Sequence, residues 1–116
     1  MTFRDDNVSL RQMRDHAELI AELLGDREKD EALNDKFAVL AASRLFEMLG
    51  GAANRVNPET RSEYPQVPWR DIVDMRDQLL HDFDTFDPIL VWHTAQTETP
   101  ALLEELNRII DQRDAG

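Results

Sequence analysis

Three side chains within six positions could do chemistry together: Arg76, Asp77 and His81. Stepping about 100° per residue from Trp69 places Ile72, Val73, Leu79, Leu80 and Phe83 within about 80° of it, an apolar stripe with Arg76 at about −20°, near its middle. A guanidinium does not shed its proton, so on such a face it must be paired or must look into a polar cleft. One placement is structural, an ion pair to another helix or a side chain snorkelling to the surface. The other is a phosphate-binding arginine at an interface.

His81 is turned about 140° from Arg76 and shares a flank with Arg70, Asp74 and Asp77. The i, i+4 spacing from Asp77 and a place in the last helical turn both favour the imidazolium, so its pKa is expected to rise, which suits a general acid. The same pair read as surface decoration is worth about 0.3 kcal/mol of helix stability. His16 and His93 lie in ordinary amphipathic helices and read as packing or surface residues, and Trp92 and Phe86 as core. With no cysteine, and no second histidine at ligand spacing, no metal site is expected and no cofactor is implied. Glycine-rich phosphate loops and nucleophile elbows are absent from the sequence.

The elements that must carry these residues read as helices. Residues 8–24 repeat Leu10, Met13, Ala17, Ile20 and Leu24 at three- and four-residue steps, with Asp6 and Asn7 as capping residues ahead and Gly25 closing the helix in a left-handed turn. A second, longest helix is expected over 29–55 with Leu33, Phe37, Leu40, Ala41, Leu45, Met48 and Ala52 on its buried face. Its alanines keep it thin, and Gly50-Gly51 predicts a bend or a close helix contact. Residues 57–68, with three prolines, form a connector with about one helical turn. Further helices start at Trp69, at Asp87-Pro88 and at Thr99-Pro100. No segment alternates with period two over strand length, so the expected architecture is an all-α antiparallel bundle of four to five helices.

The 116 residues suit a single domain spanning 1–116, and 41% apolar content suits a packed core. Neither a signal peptide nor a membrane span is apparent, and the missing cysteines point to a reducing cytoplasm. The 13 basic against 24 acidic residues give a net charge of −11. Such a surface repels phosphate backbones, so a nucleic-acid role requires a local basic pocket or a basic partner.

The segment from Val67-Pro68-Trp69 through Met75-Arg76-Asp77 to His81-Asp82-Phe83 resembles the HepT-like branch of the HEPN superfamily, with its Arg-x4-His core after a Pro-Trp helix start. Asp87-Pro88 to Trp92, Thr99-Pro100 to Leu103, and Leu49-Gly50-Gly51-Ala52-Ala53 are similar to the family's flanking stretches, so the likeness extends over nearly the whole chain. Two positions depart. Gly51 stands where the family usually has Glu, and Phe83 where many members have the Tyr that a partner enzyme adenylylates, so silencing by that route is not expected at Phe83.

The resemblance implies a homodimer whose motif helices meet across a two-fold axis, paired with a minimal nucleotidyltransferase antitoxin. At the seam it implies a metal-independent ribonuclease toxin site acting on RNA: the substrate 2′-OH attacks the adjacent phosphate, His81 serves as general acid or base, Arg76 stabilises the pentacovalent charge, and Asp77 orients its neighbours. The helical wheel agrees, because Arg76 and His81 diverge too far on one helix to form a compact site, whereas two symmetry copies could converge. The rival reading is a non-catalytic subunit that binds a nucleotide or docks the nucleotidyltransferase, favoured by the acidic charge and the two departures. A purely structural helical dimer would leave Arg76 unexplained.

Overall fold

A computed structural model describes residues 5–81 and 87–116. The expectations placed on Phe83 and Phe86 lie outside the described residues. The architecture is an all-α antiparallel bundle, with no strand among the described residues. It holds seven helical segments there rather than four or five: α1 Asp6–Leu24, α2 Lys29–Asn34, α3 Lys36–Arg55, α4 Pro58–Glu63, α5 Trp69–His81, α6 Pro88–Thr97 and α7 Thr99–Ala115. Two of these are six-residue helices, α2 and α4, which account for the difference.

α1 buries the expected stripe, with Leu10, Met13, Ala17, Ile20 and Leu24 fully enclosed. Its cap is one residue earlier than expected. Asp5 accepts the Asn7 N–H at 2.9 Å, which frees Asp6 to turn inward. The Asp6 carboxylate accepts from Thr60 Oγ1 at 2.5 Å and from the Asn57 backbone N–H at 3.1 Å, fastening α4 to the start of α1. Burial pushes its pKa up, but the hydrogen bonds from Thr60 and Asn57 and the charge of Arg113 outweigh burial and hold the carboxyl below its ordinary value. Gly25 does not take the left-handed turn; its φ is −58°, and its N–H simply extends the helical pattern to Ala21 O at 2.8 Å.

The long second helix is broken at Asp35. That residue leaves helical geometry, accepts the Ala38 N–H at 3.0 Å as the cap of α3, and receives Arg27 Nη1 at 2.8 Å. An aspartate able to cap competes with helix continuation, and here capping wins. The buried face of α3 also differs from expectation. Ala38, Val39, Ala42, Phe46, Leu49, Gly50 and Ala53 point inward, while Phe37, Leu40, Ala41 and Met48 are exposed, Phe37 by 84%. The small residues on the inner face let α1 and α5 both pack on α3, and that close packing outweighs the burial Phe37 and Leu40 would have offered.

The glycine pair resolves into the close contact. α3 runs unbroken through both glycines, and a Cβ at Gly50 would fall onto Arg76 Cβ and lie 3.0 Å from the Ile72 carbonyl oxygen. Only glycine fits there. α6 starts at the predicted Asp87-Pro88 cap, with Asp87 accepting the Ile89 N–H at 2.9 Å. α7 starts at Thr99, although the cap position falls on Glu98 and the Thr99 hydroxyl donates back to Thr94 O at 3.0 Å. Trp92, half-buried rather than fully enclosed, donates through Nε1 to Arg27 O at 2.9 Å and ties α6 to the turn after α1. α7 packs against α1, where Arg11 grips Asp114 at 2.6 and 2.7 Å. No helix among the described residues is long and apolar enough to cross a membrane.

Candidate active site

α5 is held chiefly by α3, and only Trp69 and Leu79 on it are buried. Trp69 anchors its start, donating through Nε1 to Tyr64 O at 3.0 Å. Ile72 and Val73 are half-buried and Leu80 is exposed, so the apolar stripe is only partly covered by this chain.

Arg76 sits in that stripe as the wheel predicts, but its side chain is split between two surroundings. Its Cβ and Cγ rest on Gly50, while its side chain keeps 31% of its surface exposed and Nη1 reaches Asp77 Oδ1 at 3.2 Å. Among the described residues its ion pair is with the next residue in sequence, on the surface, and not with a carboxylate of another helix. An exposed pair of this kind contributes little to stability, so structural pairing does not account for the arginine.

Arg76 lines a pocket of about 450 Å³ formed where α1, α3 and α5 meet. Gln12 and His16 enter it from α1, Arg44, Glu47 and Arg55 from α3, and Arg76 from α5. Gly51 forms part of its wall, and a Cβ built there would meet nothing nearer than Arg55 Nη1, 3.6 Å away. Arg55 Nη2 donates to Gln12 Oε1 at 2.8 Å, which spans the pocket from α3 to α1. Glu47 receives Arg44 Nη1 at 2.9 Å. Three guanidiniums and one carboxylate line it; Arg44 is matched by Glu47 and Arg76 by Asp77 just outside, which leaves Arg55 as the excess positive charge on a strongly acidic chain.

His16 contributes an unusual group. Its Nδ1 is buried and has no hydrogen-bond partner among the described residues. Its pKa is lowered, first by burial and also by the charge of Arg55, against an opposing pull from Asp15. A buried polar atom without a partner costs free energy, and such atoms call for an explanation.

The sequence-predicted trio is therefore only partly assembled. Arg76 and Asp77 are in contact; His81 is exposed at the C-terminal end of α5 and does not line the pocket. Asp77 is engaged by Arg76. Sequence reading missed Gln12, His16, Arg44 and Arg55 as a group. Gln12 and His16 are spaced i, i+4, and Arg44, Gly51 and Arg55 share one line along α3, but each set alone looks like a solvated helix face. Among the described residues no cluster of three or more His, Asp or Glu could hold a metal ion.

Comparison with known proteins bears on this arrangement. A family profile described as Ribonuclease HepT-like matches residues 13–109. The chain is 30% identical over 110 residues to Putative RNase MJ0125 of Methanocaldococcus jannaschii, covering 95% of both chains. It is equally similar, 30% over 110 residues, to Putative RNase MJ1216 of the same organism, covering 95% of this chain and 91% of that one. It is 27% identical over 100 residues to Probable ribonuclease HepT of Thermococcus cleftensis, covering 86% of this chain and 91% of the relative. No solved structure matches the chain significantly.

Proposed function

The chain belongs to the Ribonuclease HepT-like family, and on that premise we propose that residues 1–116 act as one metal-independent endoribonuclease domain, the toxin of a module whose antitoxin is a minimal nucleotidyltransferase. The single observation behind this reading is Arg76: its stem is fixed on Gly50, and it lines a pocket together with Arg44 and Arg55. Such a guanidinium can stabilise the charge that builds on a phosphorus under attack by the neighbouring 2′-OH. His81 moves the proton, taking it from the 2′-OH or giving it to the leaving 5′-oxygen, and Asp77 orients Arg76.

His81 does not line the Arg76 pocket of its own chain, so the second half of the site must come from elsewhere. A second copy supplies it. Support for the homodimer comes from surface that the described residues leave uncovered: the half-covered stripe of α5 with Leu80, and Met48, Leu40 and Phe37 along one face of α3. Exposed apolar runs of this kind mark contact surfaces. Phe37→Asp with Leu40→Asp should convert the dimer to a monomer in light scattering and abolish cleavage together; a wild-type chain that is monomeric at all concentrations would remove the two-chain site.

The direct test incubates the protein with RNA in excess EDTA beside Arg76→Ala and His81→Ala. Products ending in 2′,3′-cyclic phosphate, lost in both variants, are the expected result. Intact RNA in every tube would instead leave a non-catalytic subunit that binds a nucleotide or docks the nucleotidyltransferase, the reading favoured by the exposed position of His81.

A further inference from the structure

We infer that the recess formed by Gln12, His16 and Arg55 beside Arg76 is a phosphate subsite that holds the RNA strand outside the scissile position. The inference rests on the ribonuclease reading and extends it to side chains on α1 and α3.

Four observations converge on this recess. The first is charge: on a chain of net charge −11, Arg44, Arg55 and Arg76 line one pocket. Second, Arg55 lacks a carboxylate partner among the described residues and is held instead by a neutral amide, Gln12 Oε1, at 2.8 Å. A guanidinium held by an amide keeps its charge available, whereas Arg44 is already matched by Glu47 at 2.9 Å. Third, Gly51 places no side chain between α3 and the Arg55 guanidinium, whose Nη1 lies 3.6 Å from where a Cβ would stand.

The fourth is the orphaned Nδ1 of His16. A neutral imidazole has one N–H donor and one acceptor nitrogen, and here the buried one has nothing to bond. The ring lines the recess, and there a phosphate oxygen accepts from its other nitrogen, Nε2–H, after which the anion favours a second proton on the ring. The charged groups facing His16 are Asp15 on α1, Arg44, Glu47 and Arg55 on α3, and Arg76 on α5. Burial is what chiefly opposes protonation, with Arg55 adding to it and Asp15 working against it; a bound phosphate adds negative charge and favours the imidazolium. Gln12, His16 and Arg55 are positioning residues here, because the reacting atoms stay with Arg76 and His81.

The test uses a 2′-O-methyl RNA dodecamer, which cannot undergo 2′-OH attack, together with its unmodified counterpart. Arg55→Gln and His16→Gln should raise both the Kd for the methylated strand and the KM for the unmodified one about tenfold, with kcat within about twofold of wild type. Gly51→Glu adds a carboxylate four residues before Arg55, where there is room for it and where glutamate suits a helix better than glycine; it should weaken binding to a similar extent in a chain that melts no earlier than wild type. NMR titration of the His16 ring should give a higher pKa with the methylated strand bound than without it.

Cleavage by all three variants at wild-type KM, with an unmoved His16 titration, would overturn the subsite and leave the nuclease reading intact. Binding that depends on Arg55 and His16 in a protein that cleaves nothing would uphold the subsite and sink the nuclease. A wild-type chain that neither binds nor cleaves would remove both.

Discussion

Two recesses flank α5, and they differ in nearly every property that selects a ligand. On one side, toward α1, lie Gln12, His16, Arg55 and Arg76. On the other, a cleft of about 350 Å³ between α3, α5 and α7 is lined by Phe46, Leu49, Val67, Ile72, Met75 and Leu102, with Asp71, Glu98 and Glu105 as its charged groups. The second is the more enclosed and apolar, the kind of cavity expected to take a small molecule. Its charges have the wrong sign for RNA. Arg76 and Met75 are adjacent in sequence and serve opposite recesses, so pocket quality and suitability for a polyanion are separate properties, and charge decides between them here.

The largest effect should come from breaking that adjacency. Arg76→Ala should lower kcat for RNA by about a hundredfold or more, the usual loss when a group that stabilises transition-state charge is removed. Met75→Ala should leave kcat/KM within about twofold; equal losses in the two variants would mean that α5 does not divide the functions. Raising salt from 50 to 200 mM should weaken RNA binding roughly tenfold if two or three phosphates are contacted, and a flat salt response would exclude the cationic recess as the RNA site.

Next in size is a contrast between neighbouring glycines. Gly50→Ala should destabilise the chain by about 1–3 kcal/mol, because the new methyl meets Arg76 and the Ile72 carbonyl. Gly51→Ala, whose methyl would make only an ordinary contact with Arg55 Nη1 at 3.6 Å, should stabilise it by about 1 kcal/mol. Thermal melts of both variants check the sign, and shifts in the same direction would contradict the packing at the α3–α5 seam.

The smallest effect is in pH. The His16 pKa is lowered in the folded chain, so below its ordinary value of about 6.5 the unfolded chain binds more protons than the folded one. Stability is therefore fully present above that value and falls as pH drops from it toward the folded pKa. His16→Gln should flatten this part of a stability–pH curve, and an unchanged slope would show that the ring is not buried in solution.

Much of the frame was legible from local chemistry. The Asp87-Pro88 start, the Trp69 start and the α1 stripe depend on caps and periodicity, which are properties of neighbouring residues. Arg76 stood out because a charge in an apolar stripe is visible within one helix. The buried face of α3 was not legible: Phe37 and Leu40 outrank Ala38 and Ala42 in hydrophobicity, yet the helix turns its small residues inward because two neighbours must approach it closely. The recess was hidden for a related reason. Gln12, Arg55 and Arg76 come from three helices, and only tertiary packing brings them together. The break at Asp35 lay between these cases, since the capping residue was in view but its competition with a long apolar repeat was not.

The seating of Arg76 on Gly50 has one more consequence. An arginine anchored by its carbons leaves its tip exchangeable, and the described partner of that tip is a carboxylate at the surface. On the ribonuclease reading, a phosphodiester can take the remaining N–H donors of the guanidinium while Asp77 keeps its hold on Nη1 and the backbones of both helices stay still. On that reading, the preorganisation of the arginine is in place before the strand arrives.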